Sequence, residues 1–312
     1  MVDGLYVLLY SLPIINYPLS STLLVLNFGA ENHPMSDSLC ICGAGTMGSG
    51  IALAAAQHGL PVILYDLDPE MLSKARLQIE KDLQEQVKKN RIREADKKEI
   101  FNRIRFTSLL NACRAGIIIE AIIEKTDAKV ALFTELERIN DLHTLFASNT
   151  SSLSIKTIAE QTAFPDRIIG MHFFNPATRM KLVEIVKTEH VSEESVQRIR
   201  RLALQMGKTS VVCRDAPGFI VNHVARPFYL EALRLLEKEV ADIETIDKLV
   251  EAAGFKMGPF RLMDLIGNDI NYTVSCSLYD ALEKPARLKP SHLQELKVKK
   301  GELGRKTGRG WR

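Results

Sequence analysis

His172 stands in an apolar run with Met171, Phe173 and Phe174, and Glu184 stands in another between Val183 and Ile185. If the second run is a strand, alternation puts Leu182, Glu184 and Val186 on one face. Burying a carboxylate or an imidazole without a partner is costly. One hydrogen bond between the two would satisfy both. It would also fix the imidazole tautomer and raise its basicity, which is what a general base needs. The same residues equally allow a core histidine and an edge glutamate that never meet. Upstream, Gly43, Ala44, Gly45, Thr46, Met47 and Gly48 spell G-x-G-x-x-G, and Asp66 closes an apolar run 23 residues after Gly43. Such a glycine turn cradles a pyrophosphate against a helix start, and an acid at that distance accepts hydrogen bonds from ribose hydroxyls. The charge of Asp66 would repel a 2′-phosphate and so favours NAD over NADP.

These residues need elements to hold them. The run at 39–42 reads as a strand, the Ala-rich stretch at 51–58 as a helix, and the run at 62–65 as a second strand. A charged helix from Pro69 to about Lys89 carries Met71, Leu72, Ala75, Ile79, Leu83 and Val87 along one stripe. Residues 88–105 are basic and mixed with acids, and from charge alone a solvated helical hairpin is preferred to a landing surface for phosphates. Further strands fall at 116–124, 145–148, 167–174 and 181–186, with a helix at 128–139. This alternation predicts an α/β, Rossmann-type doubly wound sheet, with ligands beyond the carboxyl ends of its strands. Glu124 and residues 148–152 fall at such ends. Past Asp215 the pattern is helical, at 218–239, 243–253, 260–282 and 291–299, with Asp242 and Ser291 as N-caps. The expected domains are thus 35–213, the dinucleotide-binding part, and 214–312, an all-α part.

The chain has 312 residues with 46% hydrophobic and 25% charged, the balance of a globular enzyme of about two domains. A net charge of +3 gives no basic footprint for nucleic acid. Residues 4–30 carry no charge, but Pro13 and Pro18 interrupt a helix there and no Lys or Arg precedes Lys74, so neither a membrane anchor nor a signal peptide is expected. Residues 1–34 are read as an extension without a role in the fold, with Met35 opening the body. Cysteines at 40, 42, 113, 213 and 276 contain no C-x-x-C pair, so a disulfide framework or metal site is not expected and a reducing compartment, the cytoplasm, fits.

Seven motifs together resemble the 3-hydroxyacyl-CoA dehydrogenase family. They are the glycine motif at 43–50, Ser-Asn-Thr-Ser-Ser at 148–152, Gly-Met-His-Phe-Phe-Asn-Pro at 170–176, Met-Lys-Leu-Val-Glu at 180–184, Pro-Gly-Phe-Ile-Val-Asn at 217–222, Gly-Pro-Phe at 258–260 with Asp-Leu-Ile-Gly at 264–267, and Lys-Thr-Gly-Arg-Gly at 306–310. The resemblance runs unbroken over about residues 38–312 and is nearest to bacterial 3-hydroxybutyryl-CoA dehydrogenases. It implies NAD as cofactor, an acyl-CoA substrate, and a homodimer formed through the helical part. By the same resemblance His172 is the base that takes the 3-hydroxyl proton as hydride leaves C3, and Glu184 is its orienting acid. Ser151 and Asn222 hold the reacting oxygen and the substrate. Glu124, Lys129, Asn175 and Lys306 line the cofactor. Lys89 contacts coenzyme A, although the serine that accompanies it in the family falls at Asp82 here. Other departures are His223 for the usual arginine, Lys256 and Arg261 around the 258–260 motif, and Trp311 near the end. A longer-chain or dicarboxylic substrate, or a non-enzymatic dinucleotide binder, are the alternatives.

Overall fold

The computed structural model describes residues 38–312; the expectation for residues 1–34 lies outside the described residues. These fall into two compact units that divide between Ile220 and Val221. Among them no helix is long and apolar enough to cross a membrane.

The first unit is an eight-stranded sheet in the order β3-β2-β1-β4-β5-β6-β7-β8. Its strands are β1 (Leu39–Cys42), β2 (Val62–Tyr65), β3 (Ile104–Thr107), β4 (Ile117–Glu120), β5 (Leu145–Ser148), β6 (Ile168–Phe173), β7 (Leu182–Lys187) and β8 (Thr209–Arg214). Pairing is parallel from β3 to β6, antiparallel between β6 and β7, and parallel again to β8. The order 3-2-1-4-5-6 is that of a dinucleotide-binding doubly wound sheet, as expected. One face packs against α1 (Thr46–Gln57), α2 (Pro69–Lys88) and α3 (Glu94–Asn102), through residues such as Ile51, Leu53, Ile79 and Leu83. Helix α6 (Glu193–Gln205) adds Val196, Ile199 and Leu202 to the same layer. The other face packs against α4 (Thr126–Glu137) and α5 (Ile155–Glu160) through Phe133, Leu136, Phe146 and Ile158.

Two strands were not anticipated. Residues 88–105 do contain a helical hairpin, α2 turning into α3, but Ile104 already begins β3. β8 is also new: it is an edge strand with mostly exposed side chains, so it has no buried face to write an apolar alternation into the sequence.

The second unit is helical: α7 (Val221–Glu237), α8 (Ile243–Ala252), α9 (Pro259–Ile266), α10 (Asn268–Ala281) and α11 (His292–Lys299). Asp242 and Ser291 cap α8 and α11, accepting from the amides of Thr245 and Leu293. The stretch read as one helix at 260–282 is two, parted at Gly267. Leu230 and Leu233 are buried as expected, but Val240 is 64% exposed because α7 stops at Glu237, short of the turn that would have carried it inward.

Candidate active site

The glycine turn is built for close approach. Gly43 has φ +104°, and a Cβ there would lie 2.5 Å from the Ala121 carbonyl oxygen. A Cβ on Gly48 would lie 1.7 Å from the Gly43 carbonyl oxygen, so only glycine lets α1 start so near the turn. Gly45 is different: a Cβ there would meet nothing within 4 Å. It precedes the first turn of α1 without supplying a side-chain cap, so the opening amides of that turn receive no side-chain acceptor from it. That is the cradle a pyrophosphate fills, and the residues present fit a dinucleotide. Asp66 follows β2. Its Oδ2 accepts from the Ala44 amide at 2.7 Å and its Oδ1 from the Asp68 amide at 3.0 Å. Besides any ribose contact, Asp66 therefore holds the turn itself.

His172 and Glu184 are directly opposite each other in the antiparallel pairing of β6 and β7. Opposed side chains in such a pair share a face, with Cβ atoms about 5 Å apart. The imidazole Nδ1 meets Glu184 Oε2 at 2.8 Å, in surroundings that leave the residues 5% and 1% exposed. Glu184 Oε1 accepts a second hydrogen bond, from the Ile220 amide at 2.8 Å. Two donors thus converge on two carboxylate oxygens, which fixes the ring and leaves Nε2 as the nitrogen that can exchange a proton. Phe174 and Phe219 flank the ring, with centroids 4.6 and 5.7 Å away.

Beside this pair, the loop after β5 is held by acids. Glu124 Oε1 accepts from Thr150 Oγ1 at 2.5 Å, from the Ser151 amide at 3.1 Å and from Ser152 Oγ at 3.1 Å. Asn149 Oδ1 accepts from the Phe173 amide at 2.8 Å, tying the same loop to the neighbour of His172. Lys129 is 1% exposed, and its ammonium lies 2.6 Å from Glu120 and 3.1 Å from Glu124. It is spent inside the protein, where it orients Glu124. Glu120 is the residue that the sequence reading missed. It ends β4 fully buried and accepts from Lys129, from Ser148 Oγ at 2.7 Å and from the Ile122 amide at 2.7 Å. Burial raises its pKa against the pull of Lys129, whereas Glu124, also desolvated, is held below the ordinary carboxylate value by Lys129 and the Thr150 hydroxyl. The signal available was a carboxylate closing an apolar central strand, with a lysine nine residues on.

Asn175 is exposed on the loop after β6, where it lines a cleft of about 370 Å³ together with Gly45, Lys74 and Asp82. Lys208 anchors that loop from below, donating to the carbonyls of Ala177 and Met180 at 2.5 and 2.9 Å. Burial pushes its pKa down to about 8. A base with a lowered folded-state pKa costs stability while charged. That cost fades as pH rises from about 8 towards 10.5, where the folded chain has lost a proton that the unfolded chain keeps. The melting temperature of the wild type relative to Lys208→Met should therefore rise over that window; a flat difference would contradict the shift.

Lys89 is exposed at the C-cap of α2, 3.4 Å from Glu85. In the helical unit, Asn222 lies in the first turn of α7, where its carbonyl accepts from Arg226 at 3.2 Å. Lys306 is bonded to Asp269 at 2.6 Å. The structure brings together His172, Glu184, Glu124, Ser151 and the glycine turn within the sheet unit; Asn222 and Lys306 belong to the other.

Comparison with known proteins assigns both units. Residues 38–216 match the 3-hydroxyacyl-CoA dehydrogenase NAD binding domain, and residues 218–312 match the C-terminal domain of the same family. The chain is 43% identical over 280 residues to 3-hydroxyadipyl-CoA dehydrogenase of Escherichia coli, covering 88% of this chain but only 59% of that protein. It is 41% identical over 275 residues to a probable 3-hydroxybutyryl-CoA dehydrogenase of Bacillus subtilis, covering 88% and 96%. Among solved structures, the (S)-3-hydroxybutyryl-CoA dehydrogenase of Ralstonia eutropha superimposes with a TM-score of 0.84 at 36% identity, covering 88% of this chain and 98% of that one. With a dinucleotide cradle and a buried histidine–carboxylate pair on one sheet, and with both halves matched in order, the chain belongs to the 3-hydroxyacyl-CoA dehydrogenase family.

Proposed function

We propose that the protein oxidises (S)-3-hydroxyacyl-CoA to 3-oxoacyl-CoA with NAD, and runs the reverse with NADH, with 3-hydroxybutyryl-CoA as its substrate. The observation that carries this reading is the cross-strand bond of 2.8 Å between His172 and Glu184. A binder needs no oriented base, whereas alcohol oxidation does. When bound, the dinucleotide accepts the hydride from C3. His172 Nε2 takes the hydroxyl proton as C3 becomes a ketone. Glu184 stabilises the imidazolium so formed, and in reduction the same nitrogen returns the proton. Ser151, set by Glu124, hydrogen-bonds the reacting oxygen, and Asn222 helps hold the substrate. Asn175 and Lys306 line the cofactor. The cleft along α2 receives the coenzyme A moiety towards Lys89, with Asp82 facing it where the family has serine. The helical unit forms a homodimer, and five free thiols suit a reducing cytoplasm.

Turnover of acetoacetyl-CoA with NADH is the direct test. No NADH consumption by folded, NADH-binding protein would overturn the enzymatic reading. A chain-length and dicarboxylate series would overturn only the substrate if another acyl group gave the higher kcat/KM.

Asp66 carries the cofactor preference. Its two oxygens already take two amides, and a 2′-phosphate would bring negative charge against them. Asp66→Ala should weaken NADH binding about tenfold, the worth of a charged hydrogen bond, and narrow the preference over NADPH. Titration of both dinucleotides checks this; a wild type that binds NADPH more tightly would refute it.

A further inference from the structure

Three cysteines far apart in sequence meet inside the sheet unit. Cys40 and Cys42 sit two apart on β1 and face the same way, with Sγ atoms 3.9 Å apart. Cys113 follows the short turn at Leu110–Ala112, and the three Sγ atoms all lie within 4.8 Å of one another. All three residues are fully buried. They share an apolar layer with Ala115, Ile118, Phe133, Phe146 and Tyr65. The cation acting on this face, Arg105, is two strands away by register (Cys40 opposite Ile63, Ile63 opposite Arg105) and is exposed on the edge strand.

Three converging sulfurs are a donor set for a thiophilic centre, and charge decides which kind. As ligands, three thiolates bring three negative charges. A monovalent ion would leave two of them, and a divalent ion one, against hydrocarbon walls, where uncompensated charge is expensive. A trivalent centre leaves none. We propose that Cys40, Cys42 and Cys113 form a buried three-thiol site for a small, uncharged acid of a trivalent thiophilic element, arsenite being the probe. In the step, As(OH)₃ and three thiols give As(S-Cys)₃ and three waters. Each As–O bond is replaced by an As–S bond, each thiol proton leaves with a departing hydroxide, and arsenic stays in the +3 state. The neutral acid enters through local openings of the core, a route that strips no charge of its hydration. Once bound, it ties the end of β1, one residue before the glycine turn, to the segment at Cys113.

The experiment uses the whole protein, reduced and incubated with sodium arsenite, then freed of excess. Intact mass should show one arsenic per chain in place of three hydrogens. The arsenic-edge absorption spectrum should show three sulfur neighbours and no oxygen, and the melting temperature should rise with arsenite concentration. Cys113→Ala and Cys40→Ala should each weaken binding at least about tenfold and leave a two-sulfur, one-oxygen spectrum. A wild-type spectrum with two sulfurs or fewer would overturn the proposal, as would an adduct unchanged in both variants. Tighter binding of cadmium than of arsenite at these cysteines would overturn the charge argument. If a variant fails to fold, the wild-type spectrum alone decides, because Cys213 and Cys276 lie outside the cluster.

Discussion

Replacing His172 by alanine should lower kcat about 10²- to 10⁴-fold, the range for losing a general acid–base, while NADH affinity barely changes. The cradle at Gly43–Gly48 and Asp66 is built separately from the pair, so the split between kcat and cofactor binding is the signature of a base. Glu184→Gln should be nearly as damaging, for a reason visible only in the geometry. Glu184 faces two donors, His172 Nδ1–H and the Ile220 amide, with two acceptor oxygens. Glutamine has one oxygen, so one donor must face an NH₂ group, and the charge that favours imidazolium is gone. Alcohol oxidation at neutral pH should slow. Residues that act as a unit are not additive, so the double variant should be about as slow as His172→Ala alone. Losses that multiply would mean that the two act independently. His172→Asn is the control for folding, since it keeps a donor for Glu184 without a titratable Nε2. It should melt close to wild type and be as inactive as the alanine variant.

Lys129→Met should strongly destabilise the sheet unit. It removes the cation between Glu120 and Glu124 and leaves a fully buried carboxylate without a counter-charge. Breaking a buried pair in this way costs about 3–5 kcal/mol, a large part of the stability of a typical domain. The pH dependence has a sign. The pKa of Glu120 is already raised in the folded state, so its charged form costs stability, and the cost is incurred as pH climbs from about 4.5 through the raised value. Losing Lys129 raises it further. The gap in melting temperature between wild type and Lys129→Met should therefore be widest near neutral pH and shrink on acidification. A gap independent of pH would mean that packing, not charge, sets it. Activity should fall as well, because Glu124 organises the Thr150–Ser152 loop that presents Ser151.

The doubly wound class and the glycine turn were legible because the central strands are buried and written largely as short apolar runs. β3 and β8 were not. β3 has four residues with Arg105 pointing out, and β8 is exposed along most of its length. Nothing at such edges forces a pattern. In the site, His172 and Glu184 could be paired on paper because each needed a partner, although their direct cross-strand opposition depends on β6 and β7 being antiparallel. Glu120 went unread for a different reason: the sequence shows a carboxylate closing an apolar strand, but its partners, Lys129 nine residues on and Ser148 on a neighbouring strand, meet it only in the fold. The cysteines at 40, 42 and 113 meet for the same topological cause. Gly267 shows a third kind of failure, since its φ of +108° breaks a helix whose flanking residues are all compatible with continuing.

Because the catalytic pairing is one rung of an antiparallel ladder, it sets rules for how chain length can drift in relatives of this protein. An extra residue between Phe174 and Lys181 leaves the rung itself intact, but it displaces Asn175 or the Ala177 and Met180 carbonyls that Lys208 holds. One extra residue inside β6, ahead of His172, sends the imidazole to the opposite face of the sheet, away from Glu184. Two extra residues restore the face but displace it along the strand by about 7 Å, beyond hydrogen-bonding reach. Insertions and deletions should therefore be purged from β6 and β7, even where individual side chains there are freely exchanged.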